Sequence, residues 1–346
     1  MLFDDVYLNG IGSDVGALVP VTDAVATGQF SQDDAARTGQ LSTAVAERHG
    51  PELAVRAGRE ALLQAGNSVW PTLCLHAGIY HSGVDFWHAA SYVRHQLGID
   101  AGKGLTLEIN AMSNSVVAAM DLATSVLCGR PDHDAALITA GDRFGEPGFP
   151  HWSTDIGIVY GDAGSAVVLS RTPGIARVRS IASFTDPSLE GLQRGDEPFR
   201  ATSIAAQQAI DIRRRKRQWL ASNGGASEVN IRNGDAVCSV VKTALSEAGI
   251  DLPDLARICA PHYGRRLVET QVLRPLGITE DRTMTELGLR LGHMGASDQI
   301  VALHRLIHSG EVTAGDHVLL LGIGVGMTWT AVVLEIGATG VLTGPR

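Results

Sequence analysis

A chain of 346 residues with 45 % apolar composition and a formal net charge of −9 has room for one large α/β domain or two, and its acidity argues against general nucleic-acid binding. No apolar run is long enough to cross a bilayer, and the opening MLFDDVYLNG carries acids where a secretory signal carries bases. Cys74, Cys128, Cys238 and Cys259 lie far apart in apolar sequence and form no CxxC or Cys/His metal pattern, so buried free thiols, no metal and a reducing cytoplasmic setting are expected.

In chain order, residues 12–48 are polar and turn-rich and are expected to cap the mouth of a site. The spacing of apolar residues predicts a helix over 51–65, a strand over PTLCLHAGI (71–79) and a helix over 85–99. TLEINA (106–111) reads as a strand, 113–129 as a helix, 133–142 as a strand, and 156–171 as paired strands around a glycine-rich turn. Residues 175–232 fall outside this rhythm. A helix is predicted around 204–219, followed by the flexible run SNGGAS (222–227). That helix carries Arg213, Arg214, Arg215, Lys216 and Arg217, either a solvated face or a dock for an acidic partner. The order then repeats: helix 233–249, strand 255–263, helix 265–278, glycine-rich RLGHMGAS (290–297), helix 298–310, and strands 316–324 and 326–337. Strands alternating with helices predict a mostly parallel sheet between helical layers. One pattern used twice predicts two halves, 1–172 and 173–346, related by a pseudo-two-fold.

In the first half, the 106–111 strand runs into the 113–129 helix with Ser113 at the join. A helix N-terminus offers unpaired N–H groups and a positive dipole end, so a nucleophile there sits beside donors for a developing oxyanion. A serine at that place is equally an ordinary helix cap, and the residue alone leaves both readings open.

Five segments occur in a telling order over residues 70–337: FWHAASYVRHQLGI (86–99), EINAMSNSVVAAMDLA (108–123), VYGDAGSAVVL (159–169), APHYGRR (260–266) and GVGMTWTAVVL (324–334). Together they resemble the ketoacyl-ACP synthase III branch of the thiolase superfamily, in character closest to the acyltransferase and starter-unit members of antibiotic pathways. The resemblance implies a thiolase-like five-layer αβαβα fold of two pseudo-repeated halves. It also implies a homodimer, with the strand near 135–140 paired antiparallel across the two-fold.

The departures from that pattern carry the function. The family's nucleophilic cysteine falls on Ser113. A cysteine at a helix N-terminus is partly thiolate, whereas a serine needs a neighbouring general base. The family's catalytic asparagine falls on His293 of GHMGASDQ, and Asp298 follows five residues later, where the next helix begins. The two changes make sense as a pair: Ser113 demands a base, His293 supplies an imidazole, and Asp298 would hold it, the logic of a nucleophile–base–orienter set. The pseudo-repeat places Ser113 and the 293–298 loop at equivalent strand-to-helix junctions facing each other. A loop histidine making a structural hydrogen bond is the plainer alternative for His293. His262 matches the family's second histidine, and either serves the acyl acceptor or is a hydrogen-bonded residue at a strand end.

The family's CoA-nucleotide contacts are poorly matched. Its tryptophan falls near Asp33, one arginine survives as Arg37, and the other falls near 153–154. CoA is therefore held differently, or the acyl group arrives on a carrier protein. Arg265 and Arg266 would meet an acidic carrier at the tunnel mouth, or are solvated helix surface. The expected activity is transfer of an acyl group from acyl-CoA or an acyl carrier protein, through a Ser113 acyl-enzyme, to a hydroxyl or amine of a small-molecule acceptor in natural-product biosynthesis. The oxyanion would be held by the N–H groups of Ser113 and Val325, with no cofactor beyond the acyl thioester substrate. A starter-unit synthase that forms a carbon–carbon bond with malonyl-ACP is the first alternative, and a non-catalytic thiolase-fold subunit the second.

Overall fold

The apolar runs become strands in the computed structural model, which describes residues 5–201 and 208–338. They are β1 (Tyr7–Val15), β2 (Ala17–Pro20), β3 (Ser42–Val45), β4 (Leu73–Ala77), β5 (Leu105–Ile109), β6 (Ala135–Asp142), β7 (Ala163–Ser170), β8 (Ala176–Thr185), β9 (Leu255–Cys259), β10 (His317–Gly324) and β11 (Thr328–Ile336). Among the described residues one nine-stranded sheet has the order β5-β4-β6-β7-β1-β8-β11-β10-β9, and β2 and β3 form a separate pair. β1 and β8 meet at only two residue pairs, Tyr7 with Arg177 and Leu8 with Ala176. No helix among the described residues is long and apolar enough to cross a membrane.

The side-chain period of two sorts each sheet region into layers. On one face of β4, β6 and β7, Cys74, Leu137 and Val168 pack on Ala57 and Ala61 of the Gly50–Ala65 helix. On the other face, Leu75, Ile138 and Val167 pack on Val117 and Met120 of the Ser115–Gly129 helix. The same core takes in Ile300 and Leu303 of the Asp298–Ser309 helix, and Val318, Leu320, Val332 and Leu334 from β10 and β11. The opposite faces of those strands, through Leu319, Leu321 and Val333, cover Val237, Val240 and Val241 of the Gly225–Ala248 helix. The result is helix, sheet, paired central helices, sheet and helix: the five expected layers. The two central helices start at the two places where Ser113 and Asp298 stand.

Several expectations are corrected. The sheet is mixed, not mostly parallel: β4 is parallel to β5 and β6, and β9 to β10, while the remaining pairs run antiparallel. β10 and β11 are joined by a tight turn, which admits only antiparallel pairing. Only β7 forms within 156–171. The preceding stretch stays a loop because its polar groups bind elsewhere: the Asp162 carboxylate accepts from Ala46 N and Phe144 N, and Asp162 N donates to Ala44 O. Residues 12–48 hold the end of β1, then β2 and β3 with the helices Val21–Ala26 and Gln32–Thr38 between them. The Gly225–Ala248 helix begins inside SNGGAS, where Gly224 takes φ +78° at the N-cap. The helix expected around 204–219 is Ile212–Ser222, and its first four residues lie outside the described residues.

That helix's basic run is engaged within the chain. Arg213 pairs with Asp34 at 2.9 Å, Arg214 and Arg215 with Glu197, and Lys216 with Asp155 at 2.7 Å, leaving Arg217 exposed. Cys74 and Cys259 are buried, but Cys128 and Cys238 are exposed because their helices turn them outward; all four are free thiols. The strand near 135–140 cannot pair with a second copy, since β6 is already bonded to β4 on one side and β7 on the other. The free edge on that side of the sheet is β5, with Leu105 and Leu107 exposed.

Candidate active site

β5 ends at Ile109, and four residues later the chain presents Ser113 before entering the Ser115–Gly129 helix. The turn is tight: Met112 takes φ +52°, a left-handed conformation costly for a side chain of its size. Ser115 holds it, accepting from Ala111 N at 2.8 Å and donating to Met112 O at 2.6 Å. The helix has no side-chain N-cap bond, so Ser113 is not a cap. Its Oγ lies 2.8 Å from His293 Nε2 instead.

His293 stands in the loop between the Thr285–Leu291 and Asp298–Ser309 helices. Its N–H donates to Val159 O and its carbonyl accepts from Gly161 N, which pins the loop beside Tyr160. Gly292 takes φ +77° there, and a Cβ would stand 2.4 Å from Thr43 Oγ1, so only glycine fits. The imidazole is bracketed by the rings of Tyr160 and Tyr263, at centroid distances of 5.2 and 5.4 Å. Neither tyrosine is singled out in the sequence reading, although each sits beside a residue that is: Tyr160 before the GDAG turn, Tyr263 after His262.

Asp298, fully buried, accepts from His293 Nδ1 at 2.5 Å through Oδ2. It also accepts from His262 N at 2.8 Å and from Met294 N at 2.7 Å. Burial works against its ionisation, but the neighbouring imidazoles of His293 and His262 and these hydrogen bonds outweigh it and hold the carboxyl below its ordinary value. An ionised Asp298 keeps the proton on His293 Nδ1 and turns the Nε2 lone pair toward Ser113 Oγ. The Ser113–His293–Asp298 chain can therefore take a proton from the hydroxyl and stabilise the imidazolium that results.

His262 lies beside this chain, its Nδ1 3.6 Å from Asp298 Oδ1. Burial, opposed by Asp298, lowers its pKa and keeps the ring neutral. Both ring nitrogens are buried, and their polar neighbours are the Asp298 carboxylate and the backbone of Gly292. Neither contact is close enough to use the ring fully, so the imidazole keeps hydrogen-bonding capacity beside the Ser113–His293–Asp298 chain. Val325 lies in the β10–β11 turn, which presses on the Ser113 junction: at Gly324 a Cβ would stand 2.1 Å from Ala111 O.

Asp142, at the end of β6, ties the site's loops together. It accepts from Ile79 N, Tyr80 N and Ala296 N, at 2.7, 3.1 and 3.2 Å. Burial pushes its pKa up to about 6 against those donors. Asp142→Ala strands three N–H groups, each worth roughly 1–3 kcal/mol, and is expected to lower unfolding stability by more than about 2 kcal/mol, read by chemical denaturation. A carboxyl with a raised folded pKa holds its proton more tightly in the fold, so its contribution to stability declines as pH rises from 3.8 to about 6. The same substitution should remove that decline.

Residues 245–336, which include His262, His293 and Asp298, match the family described as 3-oxoacyl-[acyl-carrier-protein (ACP)] synthase III C terminal. The beta-ketoacyl-[acyl-carrier-protein] synthase III of Aquifex aeolicus (strain VF5) is 24 % identical over 284 residues, 82 % of this chain and 83 % of that one. The crystal structure of 3-oxoacyl-[acyl-carrier-protein] synthase III from Aquifex aeolicus VF5 superposes with a TM-score of 0.77 at 20 % identity, over 95 % of this chain and 99 % of the other. ChlB3, described as an acyltransferase, superposes with a TM-score of 0.88 at 31 % identity, over 98 % of this chain and 99 % of its own. The chain belongs to the ketoacyl-ACP synthase III-like family of the thiolase superfamily.

In this ketoacyl-ACP synthase III-like chain, Ser113, His293, Asp298 and His262 come together, with Val325 in the adjoining turn. Arg37, Arg265 and Arg266 lie on the surface. Arg37 pairs with Asp34 at 3.5 Å, and Arg265 pairs with Glu280 and Glu286. The elements bearing them adjoin: Arg265 lies against Gly39, at the end of the Gln32–Thr38 helix that carries Arg37.

Proposed function

We propose that the protein is an acyltransferase that moves an acyl group from acyl-CoA or an acyl carrier protein, through Ser113, to a hydroxyl or amine acceptor in natural-product biosynthesis. The observation that carries this reading is the 2.8 Å contact between Ser113 Oγ and His293 Nε2, continued at 2.5 Å from Nδ1 to Asp298. The acyltransferase description of ChlB3, similar over nearly the whole chain, supports it.

In the first half-reaction Ser113 Oγ attacks the thioester carbonyl while His293 Nε2 takes its proton. The N–H groups of Ser113 and Val325 hold the oxyanion. The carbon–sulfur bond breaks, and the thiol leaves with the proton from His293. In the second half-reaction an acceptor O–H or N–H gives its proton to Nε2, attacks the ester, and Ser113 regains a proton as it leaves. His262, neutral beside Asp298, binds the acceptor. Arg37, Arg265 and Arg266 meet the phosphates or acidic surface of the donor at the entrance. The working setting is the cytoplasm, and the acyl thioester is the only co-substrate. Intact-protein mass spectrometry after incubation with a panel of acyl-CoAs and acyl carrier proteins tests this: one acyl increment, mapped to the peptide bearing Ser113, supports the reading, and no increment with any donor contradicts it.

The neutral imidazole of His262, beside the Ser113–His293–Asp298 chain, favours one competing reading. A histidine free to hold an enolate would serve condensation with malonyl-ACP, as in the starter-unit synthases. The acyltransferase reading is preferred because, after acylation, the Ser113–His293–Asp298 chain still supplies the base that an incoming hydroxyl or amine needs and that malonyl decarboxylation does not.

The active unit is a homodimer formed through the free β5 edge, where Leu105, Leu107 and Leu122 are exposed together with unpaired strand groups. Sedimentation equilibrium should give twice the chain mass, and Leu105→Lys with Leu107→Lys should give the single-chain mass. A monomeric unmodified protein at micromolar concentration contradicts the assignment.

A further inference from the structure

The Asp298–Ser309 helix carries more than Asp298. His304 and His308 lie one turn apart on it, and the Gly50–Ala65 helix brings Glu60 against them. One ligand-capable atom from each of the three residues lies within 4.8 Å of the others, and the two imidazole centroids are 4.1 Å apart.

What distinguishes this group from a solvated cluster is how its second atoms are used. His308 Nδ1 lies 2.8 Å from the His304 carbonyl, so it carries the proton and leaves the Nε2 lone pair outward. His304 Nδ1 lies 2.8 Å from Ser13 Oγ, while its buried Nε2 faces the Glu60 carboxylate, 3.2 Å from Oε1. Glu60 Oε2 accepts from Ser13 N at 3.0 Å, leaving Oε1 toward His304. His304 and Glu60 are each anchored through one atom and turn the other toward a shared point, the outer-shell support typical of metal-binding histidines and carboxylates. Tetrahedral Zn²⁺ ligands, bound at about 2.0–2.2 Å, stand roughly 3–3.5 Å apart, so small rotations of the exposed His308 and the half-exposed Glu60 close the set.

We propose that Glu60, His304 and His308 form a binding site for a divalent transition metal, Zn²⁺ by its two-imidazole, one-carboxylate donor set, with water completing the shell. His304 lies about 9 Å and His308 about 15 Å along the helix from Asp298 at a rise of 1.5 Å per residue, so the ion takes no part in the acyl chemistry. It staples the helix that starts at Asp298 to the outer Gly50–Ala65 helix.

The test is calorimetric titration of ZnCl₂ into the full-length protein after dialysis against chelator, with thermal unfolding alongside. One equivalent binding with micromolar dissociation constant, raising the unfolding temperature, is expected. His308→Ala and Glu60→Gln should each weaken binding by at least about tenfold and remove the temperature rise. Cys128 and Cys238 are exposed thiols that also take zinc. Binding unchanged in both variants assigns the ion to such groups and overturns the proposal, as does the absence of binding below about 1 mM.

Discussion

Ser113→Ala is expected to abolish the covalent acyl adduct completely while leaving the fold intact. The side chain makes one hydrogen bond, to His293, and the junction is held by Ser115 and by the Asn114–Thr330 contact at 2.9 Å. Loss of the hydroxyl therefore removes the nucleophile without loosening the turn. Intact mass after incubation with an acyl donor reads the result, and an adduct persisting on Cys74 or Cys128 contradicts the assignment. Ser113→Cys should still take an acyl group and depend less on His293, because a thiol at a helix N-terminus ionises on its own.

The second large effect belongs to His293. Without it Ser113 Oγ loses the imidazole it is hydrogen-bonded to, and general-base assistance contributes roughly 10²–10⁴-fold, so His293→Ala should slow single-turnover acylation by roughly that factor. Asp298→Asn should slow it comparably, because an amide cannot stabilise the imidazolium or fix its tautomer. Asp298→Asn should also disturb the acceptor half-reaction, since the same carboxylate holds His262 N and Met294 N. His262→Ala should leave acylation nearly unchanged and weaken only the second half-reaction. Rapid-quench measurement of each half-reaction separates the three variants.

The layered architecture was legible where one element carried one signal. The eight residues of β6 are all buried, and its run AALITAGD reads as a strand covered on both faces. β1 and β8 were missed for opposite reasons. β1 carries glycines that look like turn signals but serve close approach: at Gly10 a Cβ would stand 1.9 Å from Ala61 O of the helix packed on it. β8 lies in the stretch that falls outside the repeat, although ARVRSIASFT alternates as a half-buried strand does. At the site, Ser113, His293 and Asp298 could be paired because a serine that needs a base and a histidine at the family's asparagine position explain each other. Asp142 and the two tyrosines were not legible, since their importance lies in which loops meet. The His304–His308 pair was visible at i,i+4 spacing, but Glu60 lies 244 residues away and only the packing of two helices joins them.

The most direct test of the central claim is to isolate the acyl-Ser113 enzyme, chase it with a hydroxyl acceptor, an amine acceptor and carboxyl-labelled malonyl-ACP in parallel, and measure deacylation and release of labelled CO₂. Deacylation by the hydroxyl or amine acceptor that depends on His293, with no labelled CO₂ from malonyl-ACP, is the predicted result. Deacylation by malonyl-ACP with stoichiometric CO₂ release, retained in His293→Ala and lost in His262→Ala, would contradict it and make the protein a carbon–carbon bond-forming synthase.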